Sequence, residues 1–219
     1  MPAAAYPSLM TDQSVTKRTR QRRPDTRPSD ILAAALALFS EKGFAAARME
    51  DVAARAGVSK GVIYLYFPDK SALLKSIVHQ AIGEQIAVAA RMADHIEGPV
   101  APVMAQLAGM LAHRIETTNL PSIIKLVIGE SRAHPEIGQY YLDNVVKLAL
   151  PLLERLLSHG IATGEFRAVD PNLTVKCMIG PLMLSALWHA VFVPLGAAPY
   201  SVAALADQHM DIFLRGLRP

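Results

Sequence analysis

The sequence predicts an all-α protein of about nine helices, and three observations predict it. Apolar residues recur at i, i+3, i+4 and i+7 rather than in strict alternation, so the dominant period is helical. Prolines at 99, 121, 135, 151, 171, 194 and 199 divide the second half into segments of helical length with little β-branched alternation. Near the N-terminus two short apolar-faced runs flank a glycine-led turn, the pattern of a helix-turn-helix. The chain has 219 residues and is 52% apolar, enough to bury a sizeable core in one or two domains.

Taken in order, residues 1–28 show no apolar periodicity and carry Lys17, Arg18, Arg20, Arg22, Arg23 and Arg27, which predicts a mostly disordered basic tail. Such a tail is either a solubilising extension or the result of a start placed too early, with Met10 as the alternative, or else an arm that follows the DNA backbone or enters a minor groove. Ser29 is placed to cap a first helix running to Lys42, with Ile31, Leu32, Ala35, Leu36, Leu38 and Phe39 on its apolar face and Gly43 ending it. Met49, Val52, Ala53 and Ala56 give the next helix one apolar face, and Gly57 stops it. Ser59 caps a third, Lys60 to Phe67, which turns Val62 and Ile63 one way and leaves Lys60, Gly61, Tyr64 and Tyr66 to a partner. Pro68 cannot continue that helix, and Asp69 caps a long one with Leu73, Leu74, Ile77, Val78, Ala81 and Ile86 as its stripe. Five further helical segments follow at 99–117, 121–133, 136–163, 171–193 and 200–217, with Pro151 and Pro181 expected to kink or interrupt two of them. The domain division is 1–28, 29–74 for DNA binding and 75–219 for a helical body.

Charge sharpens this division. Residues 1–67 hold ten Lys/Arg against six Asp/Glu, while the remainder holds twelve against thirteen, so the basic end is the motif end. The single Cys177 excludes an internal disulfide; within its apolar run it is expected to be a buried thiol, and a reducing cytoplasm is the expected location. No signal peptide is visible. Residues 178–198 mimic a transmembrane span but contain Gly180, Pro181, Trp188, His189 and Pro194, so a helix buried in a dimer core is expected instead, with no membrane partner. There is no Gly-rich phosphate loop, nucleophile elbow or paired Cys or His at metal spacing, so neither an enzyme nor a metal or redox sensor is expected, and no cofactor.

Phe39, Gly43, Phe44, Asp51, Val52, Ala53, Ala56, Gly57, Val58, Ser59, Gly61, Tyr64, Phe67 and Lys70 together resemble the DNA-binding domain of the TetR family of bacterial transcriptional regulators. The resemblance is specific over residues 29–74 and looser beyond. It departs at Ala46-Ala47-Arg48, where a hydroxyl residue usually caps the first motif helix, and at Val62, where a hydroxyl or small residue is common. What it implies is a homodimeric repressor bound to a palindromic double-stranded operator and released by a small, largely apolar effector. Lys60, Gly61 and Val62 would meet base edges, with Val62 against a thymine methyl, while Arg48, Tyr64, Tyr66 and Lys70 would hold phosphates and Ser59 would mainly cap.

The same resemblance implies a four-helix dimer interface from the last two helices, for which Leu184, Trp188, Phe192, Leu205 and Phe213 are candidates. It also implies a ligand pocket in the middle segments. Candidates there are Met104, Leu107, Met110, Leu111, His113, Val127, Glu130, Tyr141 and Phe166, with Glu130 on an apolar face where it needs an ion pair, from Arg132 or Arg114, or a ligand. The competing reading is a helical carrier of hydrophobic ligands whose basic end touches membranes or nucleic acid.

Overall fold

The computed structural model describes residues 28–94 and 98–219. The basic tail expected over 1–28 therefore lies, apart from Pro28, outside the described residues. Four helices lead: α1 (Pro28–Lys42), α2 (Met49–Ala56), α3 (Lys60–Tyr66) and α4 (Lys70–Asp94). The body adds α5 (Val100–Thr117), α6 (Leu120–Glu130), α7 (Pro135–Tyr141), α8 (Lys147–Ala162), α9 (Pro171–Leu187) and α10 (Val202–Gly216). A π turn over Leu142–Val146 joins α7 to α8 in one helical path, so the described residues form nine helical bodies and no strand.

Local chemistry fixes the boundaries. Gly57 takes φ 70°, the left-handed conformation that lets the chain leave α2, and Ser59 accepts from the Val62 amide at 3.4 Å to open α3. Asp69 accepts from the Ala72 amide at 2.7 Å at the start of α4, as its position after Pro68 predicts. Ser29, expected to cap α1, instead lies within it. Two body helices gain N-terminal partners from far along the chain, α10 in addition to its own cap Ser201. Glu165 accepts from the Val100 and Ala101 amides at 2.6 and 2.9 Å, and Glu116 accepts from Val202 and Ala203 at 2.6 and 3.1 Å. A carboxylate at a helix N-terminus satisfies orphan amides and meets the positive end of the helix dipole.

Pro151 and Pro181 interrupt neither α8 nor α9. Leu152, Leu153 and Leu182 are buried beside them and hold each helix across the missing donor. The departures from α geometry fall elsewhere, at Leu142–Val146 and at Trp188–Phe192, both π turns.

Two apolar clusters support the molecule. The first is built on Ile31, Phe39, Phe44, Val52, Ile63, Leu73 and Leu74, and it runs on into the body through Ile123, Val127 and Ile137 of α6 and α7. All six residues predicted for the inner face of α1 are buried in it. The second joins Met104, Leu156, Leu157, Met178, Leu182, Val202 and Met210 across α5, α8, α9 and α10. Between the clusters, α4 is packed on the head at its start and on the body along its middle.

Candidate nucleic-acid interface and effector cavity

Helix α3 is held by a single inward side chain. Ile63 is fully buried, while the other six residues of the helix, Lys60, Gly61, Val62, Tyr64, Leu65 and Tyr66, are exposed. Val62, expected to turn inward with Ile63, faces out, so it is available to a base as its second assignment requires. Leu65 is 78% exposed and had no assigned role. Its exposure follows from geometry, since two residues on from Ile63 is about 200° around the helix.

The cations around this face differ in their engagement. Lys60 pairs with Glu50 of α2 at 2.5 Å and lies 5.8 Å from the Tyr64 ring centroid. The hydrogen bond and charge of Glu50 raise the Lys60 pKa, and Lys60 in turn holds Glu50 below the usual carboxylate range. Arg48 is exposed at the N-cap of α2 and makes no side-chain cap, so the helix opens without the usual hydroxyl. Lys70 corrects its expected role. Its ammonium donates to the Phe44 and Ala45 carbonyls at 2.8 and 3.0 Å and stands 4.9 Å from the Phe44 ring centroid, so it ties α4 to the α1–α2 turn rather than reaching outward.

The body encloses a cavity of about 230 Å³ between α4, α5, α6, the α7–α8 path and α9. Of the predicted ligand residues, Leu107, Met110, Leu111 and Tyr141 line it. The other five do not. Met104 is fully buried in the second cluster, Val127 belongs to the first, and Phe166 packs on Gly160, while His113 faces solvent. Glu130 is half-buried at the end of α6 and makes no ion pair among the described residues, neither with Arg132 nor with Arg114. Periodicity assigns a helix face to the interior but does not say which interior, and here core and cavity share the apolar faces of α5 and α6. The residues missed include Ile82, Gln85 and Ile86 of α4, Arg114 of α5, the π-turn residues Val145 and Val146, and further apolar positions on α6, α8 and α9. Burial raises the Tyr141 pKa, which keeps its phenol protonated.

The last two helices present an open apolar face. Leu173, Cys177, Gly180 and Leu184 follow one another at helical spacing along α9 and are all exposed, Leu173 and Leu184 by 61% and 59%. Cys177 was expected to be buried; the inward set Val175, Met178, Leu182 and Ala186 turns it outward. Of the predicted dimer residues, Leu184 and Phe192 are exposed and Trp188 is half-buried, whereas Leu205 and Phe213 pack partly against the body core. On α10, Ile212 is likewise 63% exposed. Pro171–Leu195 is long and apolar enough to cross a membrane, yet only 22% of its most apolar window is buried.

Residues 31–77 match the family model for bacterial regulatory proteins of the tetR family, and residues 102–217 match that for the C-terminal domain of AefR-like transcriptional repressors. The chain belongs to the TetR family. It is a helix-turn-helix DNA-binding transcriptional regulator, and family membership sets aside the carrier reading. Among its relatives, the fatty acid metabolism regulator protein of Bacillus subtilis is 25% identical over 203 residues, covering 90% of this chain and 98% of that protein. The regulator RutR of Escherichia coli is 27% identical over 165 residues, 74% of this chain and 76% of RutR. Among solved structures, the fatty acid degradation regulator FadR of Bacillus halodurans superposes with a TM-score of 0.71 at 25% identity, covering 88% of this chain and all of that one. FadR of Bacillus subtilis, solved with stearoyl-CoA, gives 0.71 at 22% identity over 88% of this chain and all of that one, a likeness of fold.

Proposed function

We propose that this TetR-family regulator is a cytoplasmic homodimeric repressor that binds a two-fold symmetric operator and leaves it when a small, largely apolar molecule fills the body cavity. The observation that carries the reading is the course of α4. Lys70 at its first residue fastens the head, and Ile82, Gln85 and Ile86 of its middle line the cavity, so one rigid element borders both sites. A ligand acts on the head only through a difference in its affinity for two arrangements of that element.

Dimerisation follows from the open face of α9 and α10. Leu173, Leu184 and Ile212 leave more apolar surface to solvent than a monomer usually tolerates, and a second copy covers it, which also accounts for the hydropathy of Pro171–Leu195 without a membrane. Two recognition helices then reach successive major grooves roughly 34–36 Å apart. The names of the fatty acid regulators among its relatives favour a hydrocarbon-rich effector. Lys60, Gly61 and Val62 read bases, and Arg48, Tyr64 and Tyr66 hold phosphates.

The test is binding of the purified chain to fragments of its own upstream DNA and to random duplex across a salt series, with and without a hydrophobic extract of its native cells. Binding to one fragment that the extract relieves is the expected result. Equal binding to every duplex removes the operator assignment.

A further inference from the structure

Every residue lining the body cavity is apolar except Gln85 of α4, Arg114 of α5 and Tyr141 of α7. Arg114 is the unusual member of this set. A guanidinium stays charged at any physiological pH, and Arg114 is half-buried, so where it borders the apolar wall its charge has lost part of its water and gains from an anionic partner. Among the described residues no carboxylate stands within ion-pair distance of it, and its hydrogen bond goes to a neutral partner, the Ala81 carbonyl of α4. Neither Gln85 nor Tyr141 makes a side-chain hydrogen bond among the described residues, so two further donors are uncommitted at the same cavity. The Tyr141 phenol, kept protonated by burial, supplies a donor rather than a second charge.

Resting on the effector reading above, we propose that the cavity receives a hydrocarbon molecule bearing one carboxylate, and that Arg114 is the residue that binds this carboxylate. One cation matches one monoanion. The planar fork of a guanidinium meets the two oxygens of a carboxylate side by side, whereas a phosphate dianion calls for more positive charge than this lining offers. Position gives the contact a consequence. Arg114 and Ala81 also line a second cleft, shared with Ser29, Leu32 and Leu36 of α1, so the guanidinium stands where body meets head. The bond to the Ala81 carbonyl uses one N–H of the guanidinium and leaves others for a carboxylate, so a ligand held by Arg114 bears directly on the tie between α5 and α4.

The experiment is calorimetric titration of the full chain with decanoate, methyl decanoate and decanoyl-CoA, each below its aggregation concentration, on the wild type, R114M and R114K. The expected result is decanoate bound at least about tenfold more tightly than its ester by the wild type. R114M should erase that preference while changing ester affinity by less than about twofold, and R114K should fall between. Equal affinity of acid and ester on the wild type overturns the inference without relying on any variant. So does unchanged decanoate binding in R114M, tighter binding of the CoA thioester than of the acid, or no binding of any probe. Operator binding by the wild type, measured on the same samples, separates the two readings: operator binding without probe binding sinks the carboxylate site alone, whereas its loss sinks the regulator scheme on which the site rests.

Discussion

Helix α3 and the body cavity use the fold in opposite ways. Helix α3 spends one side chain, Ile63, on its own packing and exposes the other six. The cavity does the reverse, drawing its lining from helices whose neighbouring turns are ordinary core, with Gln85, Arg114 and Tyr141 as departures from an apolar wall. Where the partner is outside, functional residues are those the fold does not use. Where the ligand is inside, they are the same residue types that build the core, and only a misplaced charge distinguishes the site.

The hardest blow to this contrast falls on the one inward residue of α3. Ile63→Ala should cost about 2–4 kcal/mol in denaturant unfolding and abolish operator binding, although Ile63 can touch no base. An unchanged unfolding midpoint would mean that α3 is not anchored through it. The body has its own tight point at Gly160, where an added Cβ would run into the Phe166 ring. Gly160→Ala should cost about 1–3 kcal/mol while leaving α3 and its DNA preference intact. A variant as stable as the wild type would show that the Phe166 ring has room to retreat.

The same contrast explains what the sequence could reveal. The elements of the head are legible because their signals are local: Gly57 and Ser59 mark a turn, Pro68 and Asp69 a restart, and all six apolar positions of α1 face inward, although Ser29 lies inside α1 and Val62 faces out. Lys70 was misassigned because its partners, the carbonyls of Phe44 and Ala45, lie 26 and 25 residues away, and no local pattern announces them. In the body the helices were legible and the cavity was not. Met104 and Leu107 carry the same periodic signal, yet one fills the core and the other faces space, a difference set by which helices meet there. Nothing in the apolar stripe of α4 separates Leu74 in the core from Ile86 at the cavity.

A smaller effect is expected at the distant caps. Glu116 lies below the usual carboxylate value of 4.5, first because the Ala203 amide donates to it, with further bonds from Ser201 and Val202. A carboxylate held low in the folded chain stabilises it above the unfolded value, and that contribution is lost as pH falls through the folded value. As a lost cap at an exposed, solvent-screened site, Glu116→Ala should cost only about 0.5–1 kcal/mol near neutral pH, and its difference from wild type should shrink as pH drops below 4.5. A gap that stays constant from pH 7 to pH 3, by thermal melts, would assign the loss to packing instead.

Gly61 and Glu50 give the finest test, because both are tolerated by the fold and matter only to the partner. A methyl at Gly61 would meet nothing nearer than the Ser59 Oγ at 4.0 Å, so Gly61→Ala should leave the fold intact and gain up to about 1 kcal/mol of helix propensity. If the glycine serves close approach to a base edge, the same methyl must weaken operator binding; equal or tighter binding would remove Gly61 from the interface. Glu50→Gln probes the opposite sign. The exposed Lys60–Glu50 pair contributes little to stability, but its carboxylate competes with DNA for the ammonium and adds a negative charge beside the recognition helix. Freeing Lys60 should tighten binding by roughly two- to fivefold at low salt, with the gain fading as salt rises, at an unchanged melting temperature. A gain that survived high salt would instead mean that Glu50 shapes the position of α3, making it part of the scaffold rather than a screen on the cation that α3 presents.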